Sequence, residues 1–193
     1  MKIVSVPSPV LQNKASPVLK FDTKLQTLIT QMIKTLKNQT NPQGVGLAAP
    51  QVGQSLSLFI VMPDPERKPQ VFVNPGILKW EVGGGKLEKD VRSGIIEGKS
   101  VKKNLGKKRK KSKLEGCLSI PKIWGQVVRS ERILLEYQDE TGKSKKKWFS
   151  GFEAVIIQHE IDHLNGILFT QRVLEQKNRL YREKEGELER YEI

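Results

Sequence analysis

The two histidines of this chain, which are its only ones, lie four residues apart in the stretch His159-Glu160-Ile161-Asp162-His163. On a helix, residues i and i+4 project from one face, so both imidazoles can reach a single metal ion. Glu160 lies beside them and could act as a general base toward water activated at such an ion. The alternative is a chance pattern on a charged surface helix. The stretch therefore predicts a helix that carries part of a metal site.

The neighbouring residues favour a helix that is buried on one side. Residues 150–153, Ser-Gly-Phe-Glu, match a capping box at its start, and Asn165-Gly166 supplies a stop signal just past the second histidine. Val155 and Ile156 precede His159 by four and three residues, so they share its face. The apolar wall that they form would be either core packing or one side of a substrate pocket.

The single cysteine, Cys117, could complete the ligand set. Catalytic zinc-type sites usually take three protein ligands and keep one position for water. A lone cysteine cannot form an internal disulfide and is most often a small buried hydrophobe. However, Gly116, Ser119 and Pro121 indicate an irregular segment, in which the backbone can approach a ligand. Cys117 and the two histidines would make a Cys-His-His set with an open fourth position.

A third motif, Gly44 to Gly53, is rich in small residues that let the backbone come close to a ligand. It lacks the lysine–serine/threonine ending of a P-loop, so phosphate binding is not indicated. Gln51 offers an amide that could stabilise a developing oxyanion. Taken alone, the stretch could equally be an ordinary tight turn.

Together and in this order, the motifs resemble those of the peptide deformylases. That family carries G-x-G-x-A-A-x-Q, E-G-C-L-S and Q-H-E-x-D-H, which here read Gly44 to Gln51, Glu115 to Ser119 and Gln158 to His163. The resemblance extends to Asn74-Pro75 and covers most of residues 1–175. It implies a metal-dependent hydrolase that converts N-formyl-methionyl nascent peptides to formate and a free amino terminus.

The resemblance also implies a role for each matching residue. The ligands of one divalent metal ion, natively Fe(II) with Zn(II) or Ni(II) able to substitute, would be Cys117, His159 and His163. Glu160 would carry a proton from water to the leaving amine, while the Gln51 side chain and the Leu118 backbone N–H would hold the formyl oxygen. The implied substrate contacts are Val45 and Gly46 for the peptide backbone, and Val155 and Ile156 for the methionine side chain.

Trp124 departs from the family pattern, because many members carry arginine at this place near the outer part of the peptide groove. A tryptophan would replace a charge contact with an apolar platform, which leaves the residue preference beyond methionine open. Alternatively, Trp124 simply packs under the loop.

Hydrophobic patterning predicts a single α+β domain over residues 1–193, with N-terminal and C-terminal helices. The resemblance further implies mixed or antiparallel sheets packed around the histidine helix. A first helix, capped by Asp22 or Thr23, is predicted to extend to about Asn38, because an apolar stripe at helical spacing runs from Leu25 to Leu36. Strands are predicted at 58–61 and 71–73, with a hairpin at 133–137 and 145–149. Alternating charges predict a polar C-terminal helix at about 174–190.

Residues 81–113 interrupt the resemblance as a basic, mobile insertion. Within it, Lys99 to Lys113 holds nine Lys and Arg and no acid, which is most of the net charge of +13. The run is either a solvated loop without a partner or, as we favour, a salt-dependent contact with ribosomal RNA. It holds no aromatic side chain to stack on bases, and attraction to an anionic membrane is a weaker option.

Composition agrees with a soluble cytoplasmic enzyme, monomeric by default and without a membrane partner. At 193 residues and 37% apolar content, the chain can form one cored domain. No apolar run approaches the roughly 20 residues that span a bilayer, and residues 1–7 do not resemble a signal peptide. An unpaired cysteine that binds Fe(II) favours a reducing compartment.

Two other functions remain compatible with the motifs. A general zinc peptidase shares the His-Glu-x-x-His pattern, but it usually takes a downstream carboxylate or histidine as third ligand, and this chain has no third histidine. A catalytically lapsed deformylase scaffold that binds RNA or the ribosome would predict damaged site residues, whereas each expected residue is present.

Overall fold

The computed structural model describes residues 1–82, 85–87 and 113–191, which form three α-helices and ten β-strands besides short 3-10 turns. The helices are α1 (Thr23–Lys37), α2 (Gly151–Leu164) and α3 (Phe169–Glu175). The strands are β1 (Gly46–Ala48), β2 (Leu58–Val61), β3 (Gln70–Val82), β4 (Gly85–Leu87), β5 (Lys113–Cys117), β6 (Ile120–Val127), β7 (Arg132–Gln138), β8 (Ser144–Ser150), β9 (Leu180–Lys184) and β10 (Glu187–Tyr191).

The strands form two antiparallel sheets. The large sheet has the order β1-β2-β3-β7-β8, with β4 paired to β3, and the small sheet has the order β10-β9-β6-β5. Strand β1 is therefore an edge of the large sheet, and β5 is an edge of the small sheet. The motif glycine Gly46 lies on the first of these edges and Cys117 ends the second.

The large sheet lies between α1 and α2, because its strands alternate apolar side chains between the two faces. In β2, Phe59 packs in the cluster that contains Ile156 and Ile157 of α2, while Ile60 packs in the cluster of α1. Phe59 stacks on Phe72 with ring centroids 4.8 Å apart. These two cores fix α2 against β1, which places the two histidines beside the glycine-rich motif.

The ends of α2 agree only in part with the prediction. Asn165-Gly166 ends the helix as expected: Gly166 has a φ of +70°, and its N–H donates to the His163 carbonyl at 3.2 Å. The predicted capping box is wrong, because the Ser150 side chain makes no capping hydrogen bond. The Glu153 carboxylate instead accepts a hydrogen bond from the Gln70 amide of β3, so the helix start is fixed to the large sheet.

The polar helix predicted at about 174–190 is wrong, since this segment forms the β9–β10 hairpin after α3 ends at Glu175. Charges that alternate along the chain fit the two-residue period of a strand as well as the 3.6-residue period of a helix. Leu180 is 4% exposed and packs with Val173 in the third core cluster, while β9 pairs with β6. Burial of Leu180 and the backbone hydrogen bonds of β6 therefore favour a strand over an exposed charged helix.

The other predicted elements agree with the structure, although β3 is much longer than 71–73 and runs to Val82. The predicted insertion at 81–113 lies mostly outside the described residues: only the end of β3, the short β4 and Lys113 at the start of β5 are described. The rest of the basic run, 99–112, is not among them. Within the described ranges, no helix combines the length and apolar character needed to cross a bilayer.

Candidate active site

Cys117, His159 and His163 meet where β5 ends against α2. The Cys117 sulfur and one ring nitrogen of each histidine all lie within 4.8 Å of one another, and Cys117 Sγ is 3.1 Å from His163 Nε2. Zinc-type ions bind sulfur at about 2.3 Å and imidazole nitrogen at about 2.0–2.1 Å. One ion can therefore be reached by all three side chains, and this donor set fits a divalent metal.

The charge distribution of these side chains also suits a cation. Burial by itself raises the pKa of the Cys117 thiol, but the charge of His163 and the hydrogen bonds from both imidazoles outweigh it and hold this pKa well below its usual value. Burial lowers the pKa of His159, yet its hydrogen bonds with Cys117 and Glu115 raise it well above the ordinary value. These side chains thus stabilise a positive charge beside the Cys117 thiolate, and a bound metal ion would supply such a charge.

Glu160 lies against β1, close enough to the polar cluster for the charges of His159, His163 and Cys117 to act on its carboxyl group. It is 3% exposed, and its Oε2 has no hydrogen-bond partner among the described residues. Burial raises its pKa to about 7, although the charges of His159 and His163 act in the opposite direction. A carboxyl group that titrates near neutrality can both accept and release a proton.

Gly46 makes room for this carboxyl group. A Cβ at Gly46 would overlap Glu160 Oε1 and the Ile156 side chain. Because Gly46 has no side chain, the β1 backbone can lie directly against the Glu160 carboxyl group. Ile156 is buried in the large-sheet core and Val155 is half-buried beside it, so the predicted methionine-binding pair includes one residue that also belongs to the core.

Gln51 lies in a 3-10 turn and its amide has a fixed orientation. Its Oε1 accepts a hydrogen bond from the Ala48 N–H at 2.8 Å, so its Nε2 points at Cys117 Sγ and Ser119 Oγ, each 3.4 Å away. The amide nitrogen of Gln51 is thus aimed at the Cys117 edge of the cluster. Such donors stabilise an oxygen that becomes negative during a reaction.

Glu115 fixes the orientation of the His159 ring through a hydrogen bond with its Nδ1 atom. The distance from His159 Nδ1 to Glu115 Oε2 is 3.1 Å, which leaves Nε2 free for a metal ion. Arg129 donates to both oxygens of Glu115 at 2.9 Å. Burial raises the pKa of Glu115, but the bonds from Arg129 and His159 outweigh it and lower the pKa to about 2.

The network continues from Arg129 to the second half of α2. Arg129 Nη1 donates to Asp162, the residue just before His163, and Arg172 of α3 donates to the two oxygens of Asp162 at 3.1 and 2.8 Å. The side chains of Arg129 and Asp162 are 8% and 9% exposed. These ion pairs fix α2, β5 and α3 relative to one another around the ligands.

Sequence reasoning assigned no role to Arg129, Asp162 or Arg172. Asp162 carried a usable signal, because an acid between two candidate metal ligands is costly unless it is paired. Arg129 follows Val127-Val128 as an isolated arginine, and no local pattern names its partner. Only the fold brings it between Glu115 and Asp162.

Trp124 and Leu118 lie at the edges of the cluster. The Trp124 indole packs on Gly116, where atoms of the ring are 2.8 Å from the position that a Cβ would take, and its Nε1 donates to Glu183 at 3.0 Å. Leu118 follows Cys117 in the turn between β5 and β6, and its side chain packs with the α1 cluster. Val45 packs against the large-sheet core just before β1.

A helix with a buried glutamate and two histidines that could hold a metal ion together with a cysteine at the end of a strand is the arrangement of a metal-binding hydrolase of the His-Glu-x-x-His class. The model of the family described as polypeptide deformylase matches residues 1–179. The chain belongs to this family, and it is an enzyme that removes the formyl group from N-formylmethionyl polypeptides.

Known relatives agree with this assignment in sequence and in fold. The peptide deformylase of Dictyoglomus turgidum is 38% identical over 176 residues, which is 91% of this chain and 94% of that protein. Among solved structures, the Legionella pneumophila peptide deformylase is 34% identical with a TM-score of 0.70, covering 89% of this chain and 84% of that one. The Thermotoga maritima peptide deformylase is also 34% identical, with a TM-score of 0.69 and coverages of 89% and 96%. The predicted family and α+β fold class are confirmed.

Proposed function

We propose that this chain deformylates nascent polypeptides with one divalent metal ion, natively Fe(II) and replaceable by Zn(II) or Ni(II), held by Cys117, His159 and His163. The convergence of a thiolate and two imidazoles beside a buried carboxyl group carries the proposal. A soft thiolate ligand suits Fe(II) or zinc. Such an ion, when bound, supplies a Lewis acid and lowers the pKa of water toward neutrality.

Three groups of the protein act on the reacting atoms in this proposal. Glu160 accepts a proton from the attacking water and delivers it to the leaving amine, and a pKa of about 7 allows both steps near neutral pH. The Gln51 amide, which already points at the cluster, donates to the formyl oxygen as it becomes tetrahedral. The Leu118 backbone N–H is the second donor.

The substrate peptide would bind in extended form between β1 and β5, each of which is an edge strand among the described residues. An extended chain can add to an exposed sheet edge through main-chain hydrogen bonds. Val45 and Gly46 would pair with its backbone, and Val155 and Ile156 would contact the methionine side chain. The formyl group then lies between Glu160 and the metal ligands.

Formate release tests the proposal. Protein purified anaerobically with Fe(II) is expected to release formate from formyl-Met-Ala-Ser, to lose this activity on chelation and to regain it with Fe(II), and to a degree with Ni(II) or Zn(II). Cleavage of unformylated Met-Ala-Ser would favour the peptidase alternative. Absence of formate with metal demonstrably bound would overturn the proposal.

We further propose that the enzyme is a cytoplasmic monomer that contacts ribosomal RNA. Besides the run at Lys99 to Lys113, residues 1–63 hold six lysines and one aspartate. Lys24, Lys34 and Lys37 are exposed on α1, across the large sheet from α2. RNA bound at this face would therefore leave the active site open to a nascent chain.

Cosedimentation with ribosomes tests this contact, and it should weaken steeply with rising salt. Deletion of 99–113 should reduce it further at fixed salt. Cosedimentation that the deletion does not change would reject a role for the run, and sedimentation velocity of the free enzyme tests the monomer.

A further inference from the structure

The C-terminal hairpin reaches the active site through Trp124. In the small sheet, Trp124 pairs with Gly116 of β5 on one side and with Tyr181 of β9 on the other. Its Nε1 donates to Glu183 Oε2 of the same β9 strand at 3.0 Å. The indole ring is thus held over Gly116, the residue immediately before the ligand Cys117.

A peptide strand beside β5 would meet this ring. Side chains of directly opposed residues on neighbouring strands lie about 4.5–5.5 Å apart at Cβ. A peptide residue opposite Gly116 finds no side chain there, so its nearest neighbour on that face is the Trp124 ring that covers the glycine. Since successive side chains alternate between faces, only every second peptide residue can make this contact.

We propose that the C-terminal hairpin is part of the peptide-binding surface, with Glu183 as the positioning residue that holds Trp124 against one substrate side chain beyond methionine. This inference rests on the proposed function and adds a specificity to it: the enzyme favours an aromatic residue at either the second or the third position, and not at both. Tyr181, half-buried next to Trp124, extends the aromatic surface.

The hydrogen bond explains why Glu183 matters for this contact. A buried or half-buried indole N–H needs an acceptor, and an anchored ring loses less rotamer entropy when a ligand binds. Without Glu183 the Trp124 ring can leave Gly116, and the contact with the peptide weakens. A glutamine at this position can still accept the hydrogen bond, so the preference depends on the bond and not on the negative charge.

Three substrates of equal length test the inference: formyl-Met-Ser-Ser, formyl-Met-Phe-Ser and formyl-Met-Ser-Phe. For the wild type we expect one of the two phenylalanine peptides to exceed the serine peptide in kcat/KM by about three- to tenfold, mainly through KM. The ratio should fall toward about one in Trp124→Ala and Glu183→Ala, and Glu183→Gln should restore it. Glu187→Ala, an exposed glutamate on β10, should keep the wild-type ratio.

The outcomes separate this inference from the proposed function. Formate release with equal efficiency from all three peptides overturns the inference alone. So does a Glu183→Ala variant that retains the wild-type ratio, or a Glu183→Gln variant that loses it as Glu183→Ala does. Absence of formate from every formyl peptide with the metal-loaded wild type overturns the proposed function and this inference with it.

Discussion

The two sides of the active site are built differently. On the side of the large sheet, Glu160 lies among apolar side chains and against the bare backbone of Gly46, and burial raises its pKa to about 7. On the side of the small sheet, the candidate ligands Cys117 and His159 lie among charged partners, and Glu115 has a pKa lowered to about 2. Helix α2 carries both environments on its two faces.

This difference corresponds to two chemical tasks. A proton carrier needs a pKa near the working pH, and desolvation supplies it. Metal ligands need fixed orientation and compensated charge, and buried ion pairs supply these. We therefore expect changes on the large-sheet side to slow catalysis without releasing metal, and changes on the small-sheet side to weaken metal binding.

Removal of the Glu160 carboxyl group should have the largest effect. Glu160→Ala and the closer match Glu160→Gln should each lower kcat by about 10²–10⁴-fold, since proton transfer by a positioned group contributes that much. Metal content, measured by elemental analysis, should stay at the wild-type level. A variant that loses its metal on purification and recovers the wild-type kcat at saturating Fe(II) would place Glu160 on the ligand side of the comparison.

A methyl group at Gly46 should disturb the same side through geometry. In Gly46→Ala the new Cβ overlaps the Glu160 carboxylate and displaces it, and a displacement of about 1 Å can reduce a rate by about 10²-fold. Gly76→Ala is the matched control, because a Cβ at Gly76 of β3 would have no atom of the described residues within 4 Å. Equal kcat values for the two alanine variants would show that Gly46 does not position Glu160.

Arg129→Met should weaken the small-sheet side. It leaves the buried carboxylates of Glu115 and Asp162 without their shared partner, which should lower the free energy of unfolding by about 3–5 kcal/mol. Metal affinity should fall by about 10–100-fold, as for other groups that orient a ligand. Arg132→Met, at an arginine whose side chain is 48% exposed, should change neither quantity appreciably.

The smallest effect should come from a charge far from the site. Asp139, in the β7–β8 turn, pairs with Lys145 at 2.8 Å and accepts from the Thr141 hydroxyl at 2.6 Å. The Lys145 bond, then that of Thr141, holds the pKa of Asp139 below its usual value. Because the folded-state pKa is the lower one, this stabilisation is fully present above the unfolded pKa of about 3.9 and is lost as pH falls.

Urea unfolding at several pH values measures this contribution. Asp139→Asn should lower the unfolding midpoint at pH 7, and the difference from wild type should shrink below about pH 4. Metal affinity should not change at pH 7. A difference that grows on acidification would mean that the Asp139 carboxylate is not stabilised in the folded state.

Elements with strong local periodicity could be predicted from the sequence. The apolar stripe of α1 and the histidine pair of α2 depend on spacing within one element, and both lie where the pattern placed them. The C-terminal hairpin could not be read in this way, because its charges fit two periods and the deciding partner, β6, is over fifty residues away in the chain. Tertiary pairing decided between helix and strand.

The active site likewise has a part that local motifs predict and a part that depends on the fold. The cluster of Cys117, His159 and His163 was anticipated from motifs, and the structure brings these residues together. The role of Arg129 could not be predicted from a motif, because it depends on Glu115 and Asp162, which lie 14 and 33 residues away in the chain. The Ser150 capping box failed for a related reason, since Gln70 of another strand engages Glu153.

A metal titration of formate release with Gly46→Ala and Arg129→Met tests the central claim most directly. At saturating Fe(II), Arg129→Met should recover most of the wild-type kcat but require about 10–100-fold more free metal. Gly46→Ala should saturate at wild-type metal concentrations and remain slow. The same shift in metal requirement for both variants, or the same loss of kcat at saturation, would contradict the division of the site into a proton-transfer side and a metal-binding side.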